Sequence, residues 1–210
     1  MNKEEDTKSL KERITKRPIH SRSINLKTYP LEDNKIIIEG WLKDKRHLTV
    51  YGFDGNAREK GPVHFMVARL LVGGMPPTIF DAEAEMLTVP HDLCPSTIPS
   101  IKKIIGVKIR SGFSDKIRRM IGGKEGCAHL AHLVIAIGQE VVQGLWTHKG
   151  RKPRPIPRTL EDVENLPYLI NSCSLWREGG PLMDHVQKTI GARSEGPRSK
   201  RHNDSGKHSG

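Results

Sequence analysis

Two apolar stretches folded back on a glycine–proline turn constrain this chain more than anything else in it. In "TIFDAEAEML" (78–87), Phe80, Ala82, Ala84 and Met86 alternate with Asp81, Glu83 and Glu85. A period of two puts the apolar residues on one face of a strand, whereas a helix would scatter them around its axis. The preceding "VHFMVARLLV" (63–72) is joined to it by "GGMPP". Together they predict an antiparallel hairpin with one buried and one polar face. Pairing symmetric about the turn sets Arg69 opposite Asp81, joining opposite charges across the ladder. It also sets His64 opposite Met86, pointing inward.

A second hairpin is expected upstream. "RSINLKTY" places Ile24, Leu26 and Thr28 on one side, "PLEDN" supplies turn residues, and "KIIIEGWLKDKRHLTV" reads as a longer strand. Gly40 inside it is a candidate bulge. Residues 51–62 read as a loop. Helical spacing takes over after the Pro-rich "VPHDLCPSTIPS". "STIPSIKKIIG" and "GFSDKIRRMIGG" predict two short helices ending at glycines. A longer helix follows from about Cys127 to Gly144, with Leu130, Leu133, Val134, Ile137, Val141 and Leu145 inward. "TLEDVENLPYLI" has a Thr cap and an acidic first turn, and "NSCSLWREGGPLM" suggests a strand, a Gly-Gly turn and a return. Strands first and helices after define an α+β fold, an antiparallel sheet of two hairpins followed by a C-terminal helical layer. The expected organisation is a disordered N-terminal tail (1–20), one α+β domain (21–189) and a disordered basic C-terminal tail (190–210).

The 210 residues carry a net charge of +11, and its location matters. Residues 144–159 hold five basic and no acidic side chains, and the remaining excess sits mostly in the two tails. Such segments attract polyanions through counterion release, but no nucleic-acid motif accompanies them. Weak polyanion binding through the extended loop 149–158 and the tails is the expectation. The longest apolar run, Leu133–Ile137, is far short of the ~18 residues that span a bilayer, so no membrane partner is expected. The N-terminal stretch lacks the apolar region of a secretory signal, and the expected compartment is the cytoplasm.

Three widely spaced cysteines, Cys94, Cys127 and Cys173, do not form a disulfide framework. Cys127 stands in "GGKEGCAHLAHL" (122–133), where a glycine-rich turn runs into a helix start. The positive end of a helix favours thiolate character there. His129 follows two residues on, and His132 reads as an ordinary helix-face residue. Packing, a metal and nucleophilic chemistry all remain open for Cys127. A phosphate loop fits less well, because the glycines lack the GxxxxGK[ST] spacing. Three thiols with His129 or His64 would make a four-ligand soft site for zinc or iron if the fold brought them together.

Four blocks carry a resemblance: "HFMVARL", "IFDAEAEMLTVPHDLCP", "IIGVKIRSGFSDKIRRMIGGKEGCAHLAHLV" and "LINSCSLWREGGP". In this order they resemble the bacterial family called domain of unknown function 2889, over about residues 20 to 185. Its Cys-Thr-His-Leu block is matched by Cys127, Ala128, His129 and Leu130. Its Asp-Ala-x-Ala strand is matched by Asp81, Ala82 and Ala84, its Pro-x-x-Cys loop by Cys94, and its strand histidine by His64. Its last block often reads Cys-His, where this chain has Cys173 and Ser174. The resemblance implies that His64, Asp81, Cys94, Cys127, His129 and Cys173 form one constellation, and it implies no particular reaction.

Three functions follow as expectations. The first is a small-molecule enzyme, with Cys127 as nucleophile or metal-bound thiolate, His129 as acid/base or co-ligand, and Asp81 or His64 orienting it. The second is a non-catalytic metal-binding or metal-handling protein using Cys94, Cys127, His129 and Cys173. The third is a binding module for nucleic acid or acidic partners through loop 149–158 and the tails.

Overall fold

The structure is a computed structural model that describes residues 8–153, 157–163 and 166–194. The chain divides into two compact units, Met1–Lys149 and Gly150–Gly210. The first opens with one capped helical turn, α1 (Leu10–Arg13), and then builds a four-stranded antiparallel sheet. Its strands are β1 (His20–Pro30), β2 (Ile36–Arg46), β5 (Gly61–Gly73) and β6 (Thr78–Thr88), in that spatial order. The longer strand expected to run to Val50 ends at Arg46, and the small ladder β3 (Val50–Tyr51) with β4 (Ala57–Arg58) follows it, straddling the start of the segment expected to be a loop. The two expected hairpins are therefore present, and β2 and β5 join them into one sheet.

Alternation decides the faces. Ile36, Ile38 and Leu42 of β2, Met66, Ala68 and Leu70 of β5, and Ala82 of β6 are buried on the inner face. The outer face is held by Arg69, which pairs with Glu39 of β2 and with Glu83 and Glu85 of β6. The expected partner of Arg69 was Asp81, but Glu83 lies opposite it and Asp81 faces Leu71. Met86 faces Met66 instead of His64. The connection is not symmetric: the register shifts between Leu71 and Val72 and again between Phe65 and Met66. From Met66 to Leu71 the displacement is even, which keeps Ala82, Ala84 and Met86 on their expected face. The irregularity beside Val72 instead leaves Phe80 exposed and buries Ile79, while His64 points inward opposite Asp44 of β2.

After β6 the chain enters a 3-10 helix (Cys94–Ile104) that buries Ile101 and Ile104, with Pro99 inside it. Helix α2 (Phe113–Ile121) buries Phe113, Ile117 and Ile121, the spacing of a single helical stripe. Helix α3 (Ala128–Lys149) covers the inner face, with all six expected apolar positions buried. Glycines let it come close. A Cβ on Gly40 would lie 2.8 Å from the Ile137 side chain, so Gly40 marks the approach of α3 rather than a bulge. The irregularity in β2 falls between Asp44 and Lys45. On α3 itself, a Cβ on Gly138 would lie 2.2 Å from the Phe113 ring, and one on Gly144 would lie 2.8 Å from Thr28.

The second unit contains α4 (Leu166–Leu169) and α5 (Pro181–Ser194), with Leu166, Leu169 and Met183 buried. The strand–turn–strand expected over 171–183 is replaced by successive turns and the start of α5. Gly179 at a φ of 63° turns the chain, and Pro181 then occupies the first helical position, where its missing N–H leaves no bond unmade. Of the capped helix expected from Thr159, residues 159–163 form a turn in which the Asp162 carboxylate accepts the Arg158 and Thr159 N–H groups, and only the later part is helical, as the single turn α4. Residues 1–7, 195–210 and 154–156 of the basic loop lie outside the described residues. No helix of the described residues is long and apolar enough to cross a membrane.

The seat of α3 predicts that Gly138→Val destabilises the protein by about 2 kcal/mol in urea melts, the scale of an overpacked core. Gly191→Ala, at an exposed helical position with open space around it, should be neutral or stabilising. Equal effects from the two changes would contradict the packing described.

Candidate functional site

The inner face ends in charge. Along β2 the inward positions run Ile36, Ile38, Gly40, Leu42 and then Asp44. Asp44 is only 1% exposed. The ladder sets Arg22 of β1 on one side of it and His64 of β5 on the other. Arg22 grips the carboxylate with a two-pronged fork, its Nε 2.7 Å from Oδ1 and its Nη2 2.7 Å from Oδ2. His64 Nδ1 lies 3.0 Å from Oδ2. The Arg22 hydrogen bonds hold the Asp44 carboxyl below its usual range, outweighing burial, which pushes the other way. The carboxylate is thus an acceptor, so His64 Nδ1 donates their hydrogen bond, and Nε2 is the ring nitrogen not engaged by it.

The fourth member comes from the opposite layer. His129, in the first turn of α3, packs its ring on that of His64 with centroids 3.9 Å apart, and its Nε2 is 4.0 Å from Asp44 Oδ2. Burial lowers the pKa of His129, and the neighbouring His64 and Arg22 lower it further, more than Asp44 restores. Its imidazole is therefore neutral at physiological pH, the form that acts as a base or metal ligand. Asp44, His64 and His129 each offer a ligand atom, and these atoms lie within 4.8 Å of one another.

Of the residues singled out in the sequence, His64 and His129 meet. Asp81 stands apart from this group, its carboxylate 2.8 Å from Lys102 Nζ with both side chains exposed. Cys127 immediately precedes α3, where its carbonyl accepts the Ala131 N–H, and its side chain is half-buried against the core. Cys94 is half-buried at the start of the 3-10 helix. Cys173 is exposed in a turn of the second unit. Among the described residues, no cysteine belongs to the cluster of potential ligands. The glycine loop before Cys127 has a steric explanation: a Cβ on Gly122 would lie 2.6 Å from the Arg118 carbonyl oxygen, and one on Gly126 would lie 2.5 Å from that of Ile121. Arg22 and Asp44 were not singled out, although parity with Ile24 and Leu26, and with Ile38 and Leu42, marks both as inward-facing.

A model of the family described as protein of unknown function (DUF2889) matches residues 20–143, more than half of the chain. The chain belongs to that family. The matched stretch holds Arg22, Asp44, His64 and His129, as well as Asp81, Cys94 and Cys127, and ends before Cys173. No curated protein and no solved structure matches the chain.

The Arg22–Asp44 fork makes a pH prediction. A carboxyl held below its usual value of 3.8 stabilises the fold above that pH, and the contribution is lost as pH falls through the lower folded-state value. Asp44→Asn should therefore lower stability at pH 7 by about 2 kcal/mol, the worth of hydrogen bonds to a charged group. The gap from wild type should close in urea melts taken at progressively more acid pH. A gap that is constant with pH would contradict the ionised fork.

Proposed function

We propose that this protein is a metal-dependent enzyme acting on a small molecule, with a divalent zinc or iron ion held by His64, His129 and Asp44. The observation that carries this reading is the convergence of two imidazoles and one buried carboxylate from three separate elements. Two histidines and a carboxylate bind such ions while leaving coordination positions open for water and substrate. A metal there would supply Lewis acidity or an activated water. The chain's own contribution is orientation. Arg22 fixes and ionises Asp44, Asp44 sets the tautomer of His64, and burial keeps His129 unprotonated. The donor atoms are nitrogen and oxygen, so the reading gives the cysteines no ligand role. The unpaired thiols suit a reducing bacterial cytoplasm, the compartment this reading assigns.

A second reading is favoured by one specific contact set. Both Asp44 oxygens already accept hydrogen bonds from Arg22 or His64. Asp44, His64 and His129 would then work without metal, the carboxylate orienting an imidazole general base.

Metal analysis separates the two. Untagged protein should carry about one equivalent of zinc or iron, the stoichiometry of a single three-ligand site. His64→Ala and His129→Ala should lose the metal, while Cys94→Ala and Cys127→Ala keep it. Metal-free protein that gains none on dialysis against zinc would turn the assignment to the second reading. Loss of metal in the cysteine variants alone would reject both.

A further inference from the structure

A second feature lies on the other side of the α3 start. Arg118, Gly122 and Gly123 from α2 and its exit face Ala128, Ala131, His132 and Ile135 of α3 across a cavity of about 380 Å³. That volume falls in the range of small-molecule sites, roughly 300–1,000 Å³. Its chemistry is divided. Ala128, Ala131 and Ile135 give an apolar wall, and Arg118 and His132 give the polar groups. The two glycines leave bare backbone opposite. Gly122 has no room for a Cβ, and Gly123 sits at a φ of 53°, where a side chain is strained. Arg118 spends Nη1 on Asp115 at 2.8 Å, but both side chains are more than 60% exposed. Such a surface pair is weak, and the guanidinium keeps further donors for a ligand.

We propose that this cleft binds a small organic anion, with its phosphate or carboxylate on Arg118 and His132 and its apolar body against Ala128, Ala131 and Ile135. The positive end of α3, which begins at Ala128, adds to the same field. His132 lies three residues beyond His129 on α3, and none of Asp44, His64 and His129 lines the cleft. The inference stands on the cavity alone and does not depend on a metal at that cluster.

The test uses the full chain treated with chelator, so that no metal-bound anion is counted. Phenyl phosphate, benzoate and neutral benzyl alcohol are titrated in turn, with binding followed by the amide NMR signals of residues 118–135. One of the two anions should saturate the signals while benzyl alcohol does not, and the tighter one identifies the anionic group. Arg118→Gln should weaken it at least about tenfold, the loss of one charge-assisted hydrogen bond. Arg119→Gln, on the same helix but outside the cavity lining, should leave it unchanged. Ala128→Trp, at an exposed position, should fill the cleft and abolish binding while the protein melts as wild type. Failure of both anions to saturate, binding of benzyl alcohol equal to theirs, or equal weakening by the two arginine variants would overturn the proposal.

Discussion

The Asp44 carboxylate is held almost entirely out of water, and the inner end of the sheet is arranged around that constraint. Burying a charge without partners is prohibitive. The ladder provides those partners by register: β1 delivers Arg22 and β5 delivers His64 to the positions on either side of Asp44. The same carboxylate that completes the inner row of β2 therefore ties three strands together and fixes one imidazole. Structure and candidate chemistry share a single interaction, so the fold cannot relax at this end without disturbing the site.

His129 reaches that row only because α3 lies close to the sheet. The approach depends on absent side chains, with Gly40 beneath Ile137, Gly138 beside Phe113 and Gly144 over Thr28. A helix held further away would leave the His129 ring clear of His64. Its long apolar stripe, from Leu130 to Leu145, anchors the helix along its length and sets the rotation that turns position 129 toward Asp44. The glycine run before the helix serves the same end, closing the turn from α2 where a Cβ would strike backbone oxygens.

Much of this was legible in the sequence. Alternation in 78–87 and helical spacing in 130–145 identified the hairpin and the covering helix, because both patterns are direct imprints of a one-sided core. His64 was placed inward through a symmetric pairing with Met86; the partner is different, but the face is right. The register between β5 and β6 was not legible, because an irregularity at Leu71–Val72 is invisible to a symmetric pairing. Asp44 was hidden by its company: within "LKDKRH" it reads as one more solvated charge at a strand end. Only the inward parity of Leu42 two residues before distinguishes it, and Arg22 is hidden in the same way beside Ile24. The cysteines drew attention for the opposite reason, since a rare and reactive side chain is conspicuous whether or not it belongs to a site. The structure gathers imidazole and carboxylate where sequence chemistry suggested sulfur.

X-ray absorption on the zinc-loaded protein reads directly which atoms bind. Ligation by His64, His129 and Asp44 gives a first shell of nitrogen and oxygen alone at about 2.0–2.2 Å, with the outer-shell scattering of two imidazoles. A sulfur scatterer at about 2.3 Å would contradict it, and would return the site to Cys127 and its fellow thiols.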